Sequence, residues 1–340
     1  MHILITGHTG FKGAWLTLAL VELGHQVSGL SLDPVRGSLW DRADLSRLLQ
    51  HDFRNDVRCS NDVKEIFGKV RPDAVMHLAA QPLVRSSYEH PRETVETNVI
   101  GTLNVLESAW GCETVKASVI VTTDKVYRNS GAPEGYRESD PLGGHDPYSA
   151  SKAMADLLTQ CYITSFRGPP TAIARAGNVI AGGDVSSERL LPDLVRAFRS
   201  GESAVLRFPD AVRPWQHVLD CLNGYVLLLN GLLDGTASGH AWNFGPDPGS
   251  SISVREIAAQ AASVWGPDAG WQVGESDHLH EASLLTLDSS LARSSLGWID
   301  YLTVEDAVRW TVEWEKQVDD GADAREVCLR QIREFSALRC

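Results

Sequence analysis

Short apolar runs alternate with segments of helical periodicity through the first half of the chain. The apolar runs predict buried strands at residues 1–6, 26–32, 74–78, 119–123 and 171–176. Between them, apolar positions at helical spacing predict helices at residues 14–23, 92–109 and 149–166. Strands that alternate with helices in this way are typical of an α/β fold built on a doubly wound parallel sheet.

The pattern changes after about residue 177. It predicts a short strand at 204–208 and helices at 190–198, 217–233, 251–265 and 303–316. We therefore expect a smaller α/β lobe at the carboxyl ends of the sheet, where ligands of such folds bind. The expected division gives the main domain residues 1–176 and 217–245, and the lobe residues 177–216 and 246–340.

Composition and charge narrow the class of protein. Apolar residues make up 43% of the 340 residues and charged residues 22%, so the chain can bury a sizeable core. The net charge of −13 disfavours nucleic-acid and membrane binding, although local arginines can still bind an anionic substrate. No membrane-length apolar run and no secretion leader is recognised, so we expect a cytoplasmic protein. The six cysteines lack C-x-x-C pairing, and no metal site is expected.

Three glycines, Gly7, Gly10 and Gly13, separate the first predicted strand from the first helix. Glycine lets the backbone approach a pyrophosphate, and the start of a helix offers it unpaired N–H groups. The turn therefore predicts a Rossmann-type dinucleotide site, with a glycine turn that binds no ligand as the alternative. The expected contacts are Gly7, Thr9, Gly10, Phe11, Lys12 and Gly13.

An acidic residue, Asp33, follows the second predicted strand. A carboxylate about twenty residues after the glycine turn accepts hydrogen bonds from the ribose hydroxyls of NAD. It would repel the 2′-phosphate of NADP, although Arg36 nearby could soften that repulsion. NAD is therefore the expected cofactor, with Asp56 and Val57 beside its adenine.

Tyr148 and Lys152 lie four residues apart and thus on one face of a predicted helix. A lysine there lowers the pKa of the phenol and can also hold the nicotinamide ribose. The phenolate can then take the proton of a substrate alcohol while a hydride leaves the same carbon for NAD. Thr123, at the end of a predicted strand, can hydrogen-bond the same alcohol oxygen. These residues predict oxidation of an alcohol.

These motifs resemble the extended short-chain dehydrogenase/reductases that modify nucleotide sugars, the NAD-dependent epimerase/dehydratase family. Longer strings extend the resemblance over nearly the whole chain, at residues 6–13, 79–85, 123–125, 175–180, 213–218 and 242–246. The resemblance implies further cofactor contacts from Leu78, Ala79, Ala80 and Asn98. It also implies a homodimer, or a dimer of dimers, paired through the helices near 92–109 and 149–166.

Asp124 and Lys125 directly follow Thr123 and favour a dehydratase over an epimerase. Loss of water from C5 and C6 of a hexose needs a base for the C5 proton and an acid for the C6 hydroxyl. The resemblance implies that Asp124 is the acid and Lys125 the base. It further implies NAD-dependent conversion of CDP-D-glucose to its 4-keto-6-deoxy form. The alternatives are a solvated Asp-Lys pair and, for the chain, a 4-epimerase, a 4-reductase or a redox-inactive dinucleotide-binding protein.

Arginines are the candidates for the substrate diphosphate, because a guanidinium binds phosphate bidentately. The expected substrate contacts are Arg85, Asn178, Arg189, Arg213 and His217. The chain departs from the family pattern in segments where substrate could bind, at Arg128, Val185, Leu284 and Thr286. A 4,6-dehydratase of a different nucleotide sugar therefore stays open.

Overall fold

The structure is a computed structural model that describes residues 1–131, 134–237, 241–247, 250, 252–274 and 285–339. Its strands are β1 His2–Thr6, β2 Gln26–Ser31, β3 His51–Arg54, β4 Ala74–His77, β5 Ala117–Val121, β6 Thr171–Ala176, β7 Val179–Ile180, β8 Ser203–Leu206, β9 Val212–Arg213, β10 Gln216–His217, β11 Ala241–Phe244, β12 Ile252–Ser253 and β13 Gly270–Val273. Its helices are α1 Phe11–Glu22, α2 Leu39–Arg42, α3 Ser60–Val70, α4 Val84–Glu89, α5 Pro91–Val95, α6 Gly101–Trp110, α7 Pro147–Ser165, α8 Leu190–Arg199, α9 Val218–Asp234, α10 Val254–Trp265, α11 Ser290–Leu296, α12 Val304–Asp319 and α13 Ala324–Ala337. A π-helical turn at Glu96–Ile100 joins α5 to α6, and 3₁₀ turns lie at Leu45–Leu48 and Asp124–Val126.

Seven parallel strands form the main sheet, in the order β11-β6-β5-β4-β1-β2-β3. The chain builds outward from β1 on one side and then from β4 on the other, so the strand order reverses between these two strands. At such a switch point the loops after the strands diverge and leave a crevice at the carboxyl ends. The predicted doubly wound fold is confirmed, and the five predicted strands end within two residues of their expected limits.

Side chains of the central strands alternate between two apolar layers. Ile3 and Ile5 of β1 pack in the layer that contains Trp15 of α1, whereas Leu4 packs in the opposite layer with Val105 of α6. Because helices cover both faces, every position of β1 after His2 is buried. This is why the sequence shows continuous apolar runs rather than alternation.

The smaller lobe has its own apolar core. β8 pairs in parallel with β13, and helices α8, α10 and α12 pack beside this pair. Leu194, Phe198, Ile257 and Val308 lie at the centre of this core. Among the described helices, none has the length and apolar composition needed to cross a bilayer.

The C-terminal helices contact both cores. α12 packs on α10 of the lobe, whereas α13 packs on α1 of the main domain. Trp314 and Phe335 lie in the same apolar cluster as Trp15. The expected division, which placed all of 246–340 in the lobe, stays a prediction. Within the main domain, α9 packs on β5 and β6, and β11 pairs with β6.

α7 begins at Pro147, before the predicted start. The Asp146 carboxylate caps this helix by accepting a hydrogen bond from the Ser149 N–H at 2.9 Å. Tyr148 therefore lies in the first turn of α7, and Lys152 lies one turn further along. The capped start of the helix fixes both side chains at the carboxyl edge of the sheet.

Candidate active site

A cleft of about 1390 Å³ lies between the carboxyl ends of the main sheet and the lobe. It exceeds the roughly 300–1,000 Å³ of a small-ligand pocket, so it has room for a cofactor and a substrate together. The predicted site residues that line it are Gly7, Thr9, Gly10, Phe11, Lys12, Gly13, Asp56, Val57, Leu78, Ala79, Ala80, Arg85, Thr123, Asp124, Lys125, Tyr148, Lys152, Asn178, Arg189 and Arg213. Of the predicted residues, all of which the structure describes, Asp33, Asn98 and His217 lie outside its wall.

The glycine turn fits a pyrophosphate. Gly7 has a φ of +77°, and a Cβ there would lie 2.6 Å from the backbone nitrogen of Ala79. A Cβ on Gly13 would lie 2.1 Å from the carbonyl oxygen of Gly7. Among the described residues, no side chain caps α1 at Gly10 and no acidic residue lies in its first turn. The N–H groups at the start of α1 can therefore bind the diphosphate of a dinucleotide.

The turn is tied to the end of β2 beside it. The hydroxyl of Thr9 shares a hydrogen bond with that of Ser31 at 2.7 Å and donates to the carbonyl oxygen of Leu32 at 3.0 Å. Asp33 follows, but its side chain is 88% exposed and lies 3.9 Å from the guanidinium of Arg54. Its carboxylate thus stands outside the wall of the cleft, at the expected end of β2.

The predicted adenine end of the cleft is built after β3. The Asp56 carboxylate accepts hydrogen bonds from the Arg58 guanidinium at 2.8 and 2.6 Å, which hold the pKa of that carboxyl below its usual range. The side-chain amide of Asn104 donates to the carbonyl oxygen of Val57 at 2.8 Å. These contacts leave Asp56 ionised and fix the backbone beside it.

Asn98 and His217 lie outside the wall of the cleft, and their expected contact roles stay predictions. The Asn98 side chain accepts a hydrogen bond from the Gln81 N–H at 2.8 Å and donates to the Ser151 hydroxyl at 2.8 Å. His217 is fully buried at the start of α9, where its ring accepts a hydrogen bond from the Leu219 N–H at 3.3 Å. Burial lowers the pKa of His217 to about 3, so this ring is neutral.

Tyr148 and Lys152 are both buried in the wall of the cleft. Burial raises the pKa of the Tyr148 phenol to about 12, although its hydrogen bond with Thr123 favours the phenolate. Lys152 donates a hydrogen bond to the carbonyl oxygen of Val121 at 3.0 Å. Burial first and the charge of Lys12 second lower the pKa of Lys152 to about 7. The expected lowering of the phenol pKa is therefore outweighed by burial.

Asp124 is a buried acid, only 1% exposed, next to the end of β5. One carboxylate oxygen accepts a hydrogen bond from the Thr123 hydroxyl at 2.9 Å, whereas the other has no partner among the described residues. That second oxygen would lie 3.1 Å from a Cβ on Gly177, so it faces the β6 side of the cleft. Burial raises the pKa of Asp124 against the lowering effect of Lys125 and Arg213. Asp124 can thus hold a proton and donate it.

Cationic side chains reach the substrate half of the cleft from both domains. Arg189 pairs with Asp184 at 3.1 Å within the lobe, and the wholly buried Arg213 lies near Asp124. Arg85 of α4 pairs with Glu188 of the lobe at 3.5 Å, so this contact spans the cleft. Such a set of guanidinium groups suits a phosphorylated substrate. Within the described residues, no three His, Cys, Asp or Glu side chains are grouped as metal ligands.

The departures from the family pattern occupy different places. Val185 lines the cleft, as expected. Arg128 is exposed and Thr286 is buried, with its carbonyl oxygen accepting a hydrogen bond from the Tyr136 N–H, and neither belongs to the wall. Leu284 lies outside the described residues. Their neighbours Tyr127, Asn129 and Leu285 do line the cleft, so the expectation that these segments face substrate stays a prediction.

Sequence reasoning missed a group of buried polar residues beside the cleft, of which Tyr127 lines the wall whereas Asp156 and Arg175 lie behind it. Asp156 lies on α7 one turn beyond Lys152, and Arg175 lies on β6. Tyr127 follows the Asp124-Lys125 turn and contacts Arg175. Arg175 begins one of the strings that carry the family resemblance, so the signal was present, but no role could be read from it.

A model of the NAD dependent epimerase/dehydratase family matches residues 3–245, more than half of the chain. The CDP-glucose 4,6-dehydratase of Salmonella typhimurium is 39% identical, covering 98% of this chain and 95% of that protein. The chain belongs to this family. The predicted family and its cofactor, NAD, are thereby confirmed.

Two further relatives fit the same family. The dTDP-glucose 4,6-dehydratase of Neisseria gonorrhoeae is 27% identical, covering 92% of this chain and 95% of that protein. Among solved structures, the dTDP-glucose 4,6-dehydratase DesIV of Streptomyces venezuelae, with NAD and TYD bound, is 25% identical with a TM-score of 0.82. The likeness covers 96% of this chain and 100% of DesIV, so it includes both the main domain and the lobe.

Proposed function

We propose that this member of the epimerase/dehydratase family is an NAD-dependent nucleotide-sugar 4,6-dehydratase that converts CDP-D-glucose to its 4-keto-6-deoxy form. The single observation that carries the proposal is Asp124, a buried acid beside Tyr148 in the cleft, with one oxygen that has no partner among the described residues. An epimerase has no need of a proton donor there. The 39% identity to a CDP-glucose 4,6-dehydratase supports the choice of nucleotide and sugar.

The oxidation half of the reaction uses α7. The glycine turn would hold NAD, which would supply a hydride acceptor for C4 of the sugar and a hydride donor for C6. Tyr148 takes the proton of the C4 hydroxyl, and Thr123 holds the same oxygen. Because burial sets the phenol pKa at about 12, Tyr148 depends on nearby positive charge to become a base. Lys152, once protonated, supplies such charge and holds the ribose.

The elimination half uses the Asp124-Lys125 turn. Oxidation at C4 acidifies the C5 proton, which Lys125 removes. Asp124 gives its proton to the departing C6 hydroxyl, so water leaves and a C5–C6 double bond forms. The raised pKa of Asp124 suits this donation, because burial keeps the group protonated at higher pH than an ordinary carboxyl. Return of the proton to C5 and of hydride to C6 completes the product.

The substrate phosphates lie with the lobe in this proposal. Arg213 is placed to bind the diphosphate, with Arg189 as a second cation and Asn178 as a hydrogen-bond donor, and all three line the cleft. Arg85 reaches the same space from α4 and is assigned to the sugar. A guanidinium pairs with phosphate in a fixed geometry, which orients the hexose toward Tyr148.

The test is a product assay with CDP-, UDP-, dTDP- and GDP-glucose in the presence of NAD. We expect CDP-glucose to be consumed fastest and its product to be lighter by one water. With substrate deuterated at C4, the deuterium should appear at C6. A product of unchanged mass would instead indicate an epimerase, and no product from any sugar would overturn the proposal.

The base is tested with Lys125→Ala on the same C4-deuterated substrate. We expect a loss of roughly 10²–10⁴-fold in the rate of dehydrated product, as is typical when a general base is removed. Lys116→Ala is the matched control, because that side chain is exposed and pairs with Asp73 at the opposite edge of the sheet. A near wild-type rate in Lys125→Ala would show that Lys125 is not the base.

We also propose a cytoplasmic homodimer, paired through α7 and the helix beside it. α7 packs on the π-helical turn and α6, and this pair of helices leaves Ile100, Met154 and Leu157 exposed at 41%, 40% and 54%. Large apolar side chains grouped on one face are typical of an interface. The proposed site residues all come from one chain. In this proposal, pairing therefore acts on the site only by stabilising α7, which carries Tyr148.

A further inference from the structure

A buried ion pair behind the cleft takes no part in the proposed chemistry. Asp156 of α7 and Arg175 of β6 have side chains that are 0% and 1% exposed. Two guanidinium N–H groups donate to the two carboxylate oxygens, each at 2.8 Å. Taking both charges out of water is costly, and an apolar pair of similar size is often as stable. Stability alone therefore does not explain this pair.

The carboxylate end of the pair is attached to the oxidation residues. Asp156 lies four residues after Lys152, on the same face of α7. It also accepts a hydrogen bond from the hydroxyl of Thr122 at 3.1 Å. Thr122 comes directly before Thr123, the residue that bonds to Tyr148. Asp156 thus joins α7 to the end of β5.

The guanidinium end of the pair is attached to the elimination residues. Arg175 donates a third hydrogen bond, at 2.8 Å, to the hydroxyl of Tyr127. That hydroxyl in turn donates to the side-chain oxygen of Asn243 at 2.7 Å. The Tyr127 ring stacks on the ring of Tyr136 with centroids 5.2 Å apart. Together, these hydrogen bonds and the ring stacking hold the Tyr127 phenol in one place.

Tyr127 ends the 3₁₀ turn that carries Asp124 and Lys125. The start of that turn is held by Thr123, whose hydroxyl accepts a hydrogen bond from the Lys125 N–H at 3.4 Å. The far end is held by the phenol of Tyr127. A three-residue turn fixed at both ends gives its acid and base a defined place relative to α7.

We propose that the chain Asp156–Arg175–Tyr127 positions the elimination pair against the oxidation pair, with Tyr127 as a positioning residue that acts through Asp124 and Lys125. This inference rests on the proposed function. It makes a specific claim about steps: loss of the Tyr127 hydroxyl should slow elimination and leave oxidation at C4 intact. The reason is that Asp156 still holds α7 when that hydroxyl is absent.

The test is Tyr127→Phe, which keeps the ring and its stacking on Tyr136. In a single turnover with NAD bound, reduced nicotinamide is followed by absorbance and dehydrated product by mass. We expect the initial formation of reduced nicotinamide at the wild-type rate and product formation slowed by roughly 10–100-fold, since a misplacement near 1 Å can cost about that much. Reduced cofactor should then accumulate well above its wild-type level.

Tyr162→Phe is the matched control, since this tyrosine lies on α7 and has ring contacts with Trp110 and Phe166. It should leave both steps unchanged. Arg175→Lys is the second variant, because one ammonium keeps a positive charge opposite Asp156 but cannot also hold Tyr127 in the same geometry. It should show the same accumulation of reduced cofactor.

Two results would overturn the inference. One is an equal fall of both steps in Tyr127→Phe and Arg175→Lys, which marks a general loss of structure. The other is a ratio of reduced cofactor to dehydrated product that equals the wild-type ratio in both variants. Failure of the proposed function would be distinct, because the wild-type protein itself would then form no dehydrated product.

Discussion

Two lysine side chains share the buried space between the cofactor turn and the acid–base residues. Lys12 comes from the first turn of α1, and its ammonium lies 3.4 Å from the hydroxyl of Tyr225. Lys152 comes from α7, where burial first and the charge of Lys12 second lower its pKa to about 7, while Asp156 acts in the opposite direction. Burial first and the charge of Lys152 second lower the pKa of the His77 ring to about 3. The protonation of Lys152 therefore depends on Lys12.

The change Lys12→Met should shift the pH dependence of oxidation at C4. Lys152 is charged below its pKa and neutral above it, so a step that needs the ammonium declines as pH rises through about 7. Removing the Lys12 charge raises the Lys152 pKa, because one repulsive charge is lost. The decline should therefore move to higher pH.

The measurement is the initial rate of nicotinamide reduction against pH, with NAD kept saturating in both proteins. Lys116→Met is the control, since Lys116 is exposed and pairs with Asp73. An unchanged midpoint in Lys12→Met, or one displaced to lower pH, would contradict the coupling of the two lysines.

At the scale of the element, the strand–turn–helix unit at the start of the chain needs glycine for two separate reasons, close packing within the turn and space for a ligand. At Gly13 the demand is internal, because a Cβ would overlap the carbonyl oxygen of Gly7 at 2.1 Å. At Gly10 a Cβ would approach only that same oxygen, at 3.3 Å, but the residue lines the cleft. One glycine is needed for folding of the turn and the other for approach of the ligand.

The variants Gly13→Ala and Gly10→Ala should separate these demands. Gly13→Ala should lower the free energy of unfolding by about 3 kcal/mol, as forced overpacking does. Gly10→Ala should change it by about 1 kcal/mol or less but weaken NAD binding, because its methyl group enters the cleft. Chemical denaturation and NAD titration by fluorescence measure the two effects. Equal stability of both variants would show that the turn relaxes around Gly13.

Local patterns explain which elements could be predicted from the sequence. The strands, the glycine turn and the Tyr148–Lys152 pair depend on neighbours in the chain, and the predicted α/β fold is present. Asn98 and His217 were expected in contact with ligands, yet their partners Gln81 and Trp15 lie on other elements. Periodicity along the chain does not show which distant element packs against a given residue. For the same reason, the sequence did not predict the role of Arg175.

At the scale of the whole molecule, elements from the later part of the chain pair with and pack on elements that come earlier in it. β11 extends the main sheet beside β6, and α13 packs on α1 behind the glycine turn. α12 contacts both the lobe and the main core, since Val308 lies in one cluster and Trp314 in the other. This shared helix joins the two walls of the cleft. The cofactor half and the substrate half therefore depend on one continuous structure.

The proposed dimer gives the last prediction, because the face of α7 that points away from the sheet is apolar and exposed. Leu157 is 54% exposed, Met154 lies three residues before it on α7, and Ile100 lies in the π-helical turn that packs on α7. Leu157→Asp would place a charge in a buried contact, which is unfavourable unless it is paired. We expect the wild-type protein to sediment as a dimer and Leu157→Asp to dissociate at least tenfold more readily.

Sedimentation velocity over a range of protein concentrations measures this dissociation. Leu338→Asp is the control, because Leu338 is 51% exposed at the end of α13, on the α1 side of the molecule. If pairing through α7 also steadies Tyr148, dilution of Leu157→Asp should lower its thermal midpoint while the control stays unchanged. A monomeric wild-type protein, or a Leu157→Asp dimer as tight as wild type, would place the apolar face of α7 outside any interface.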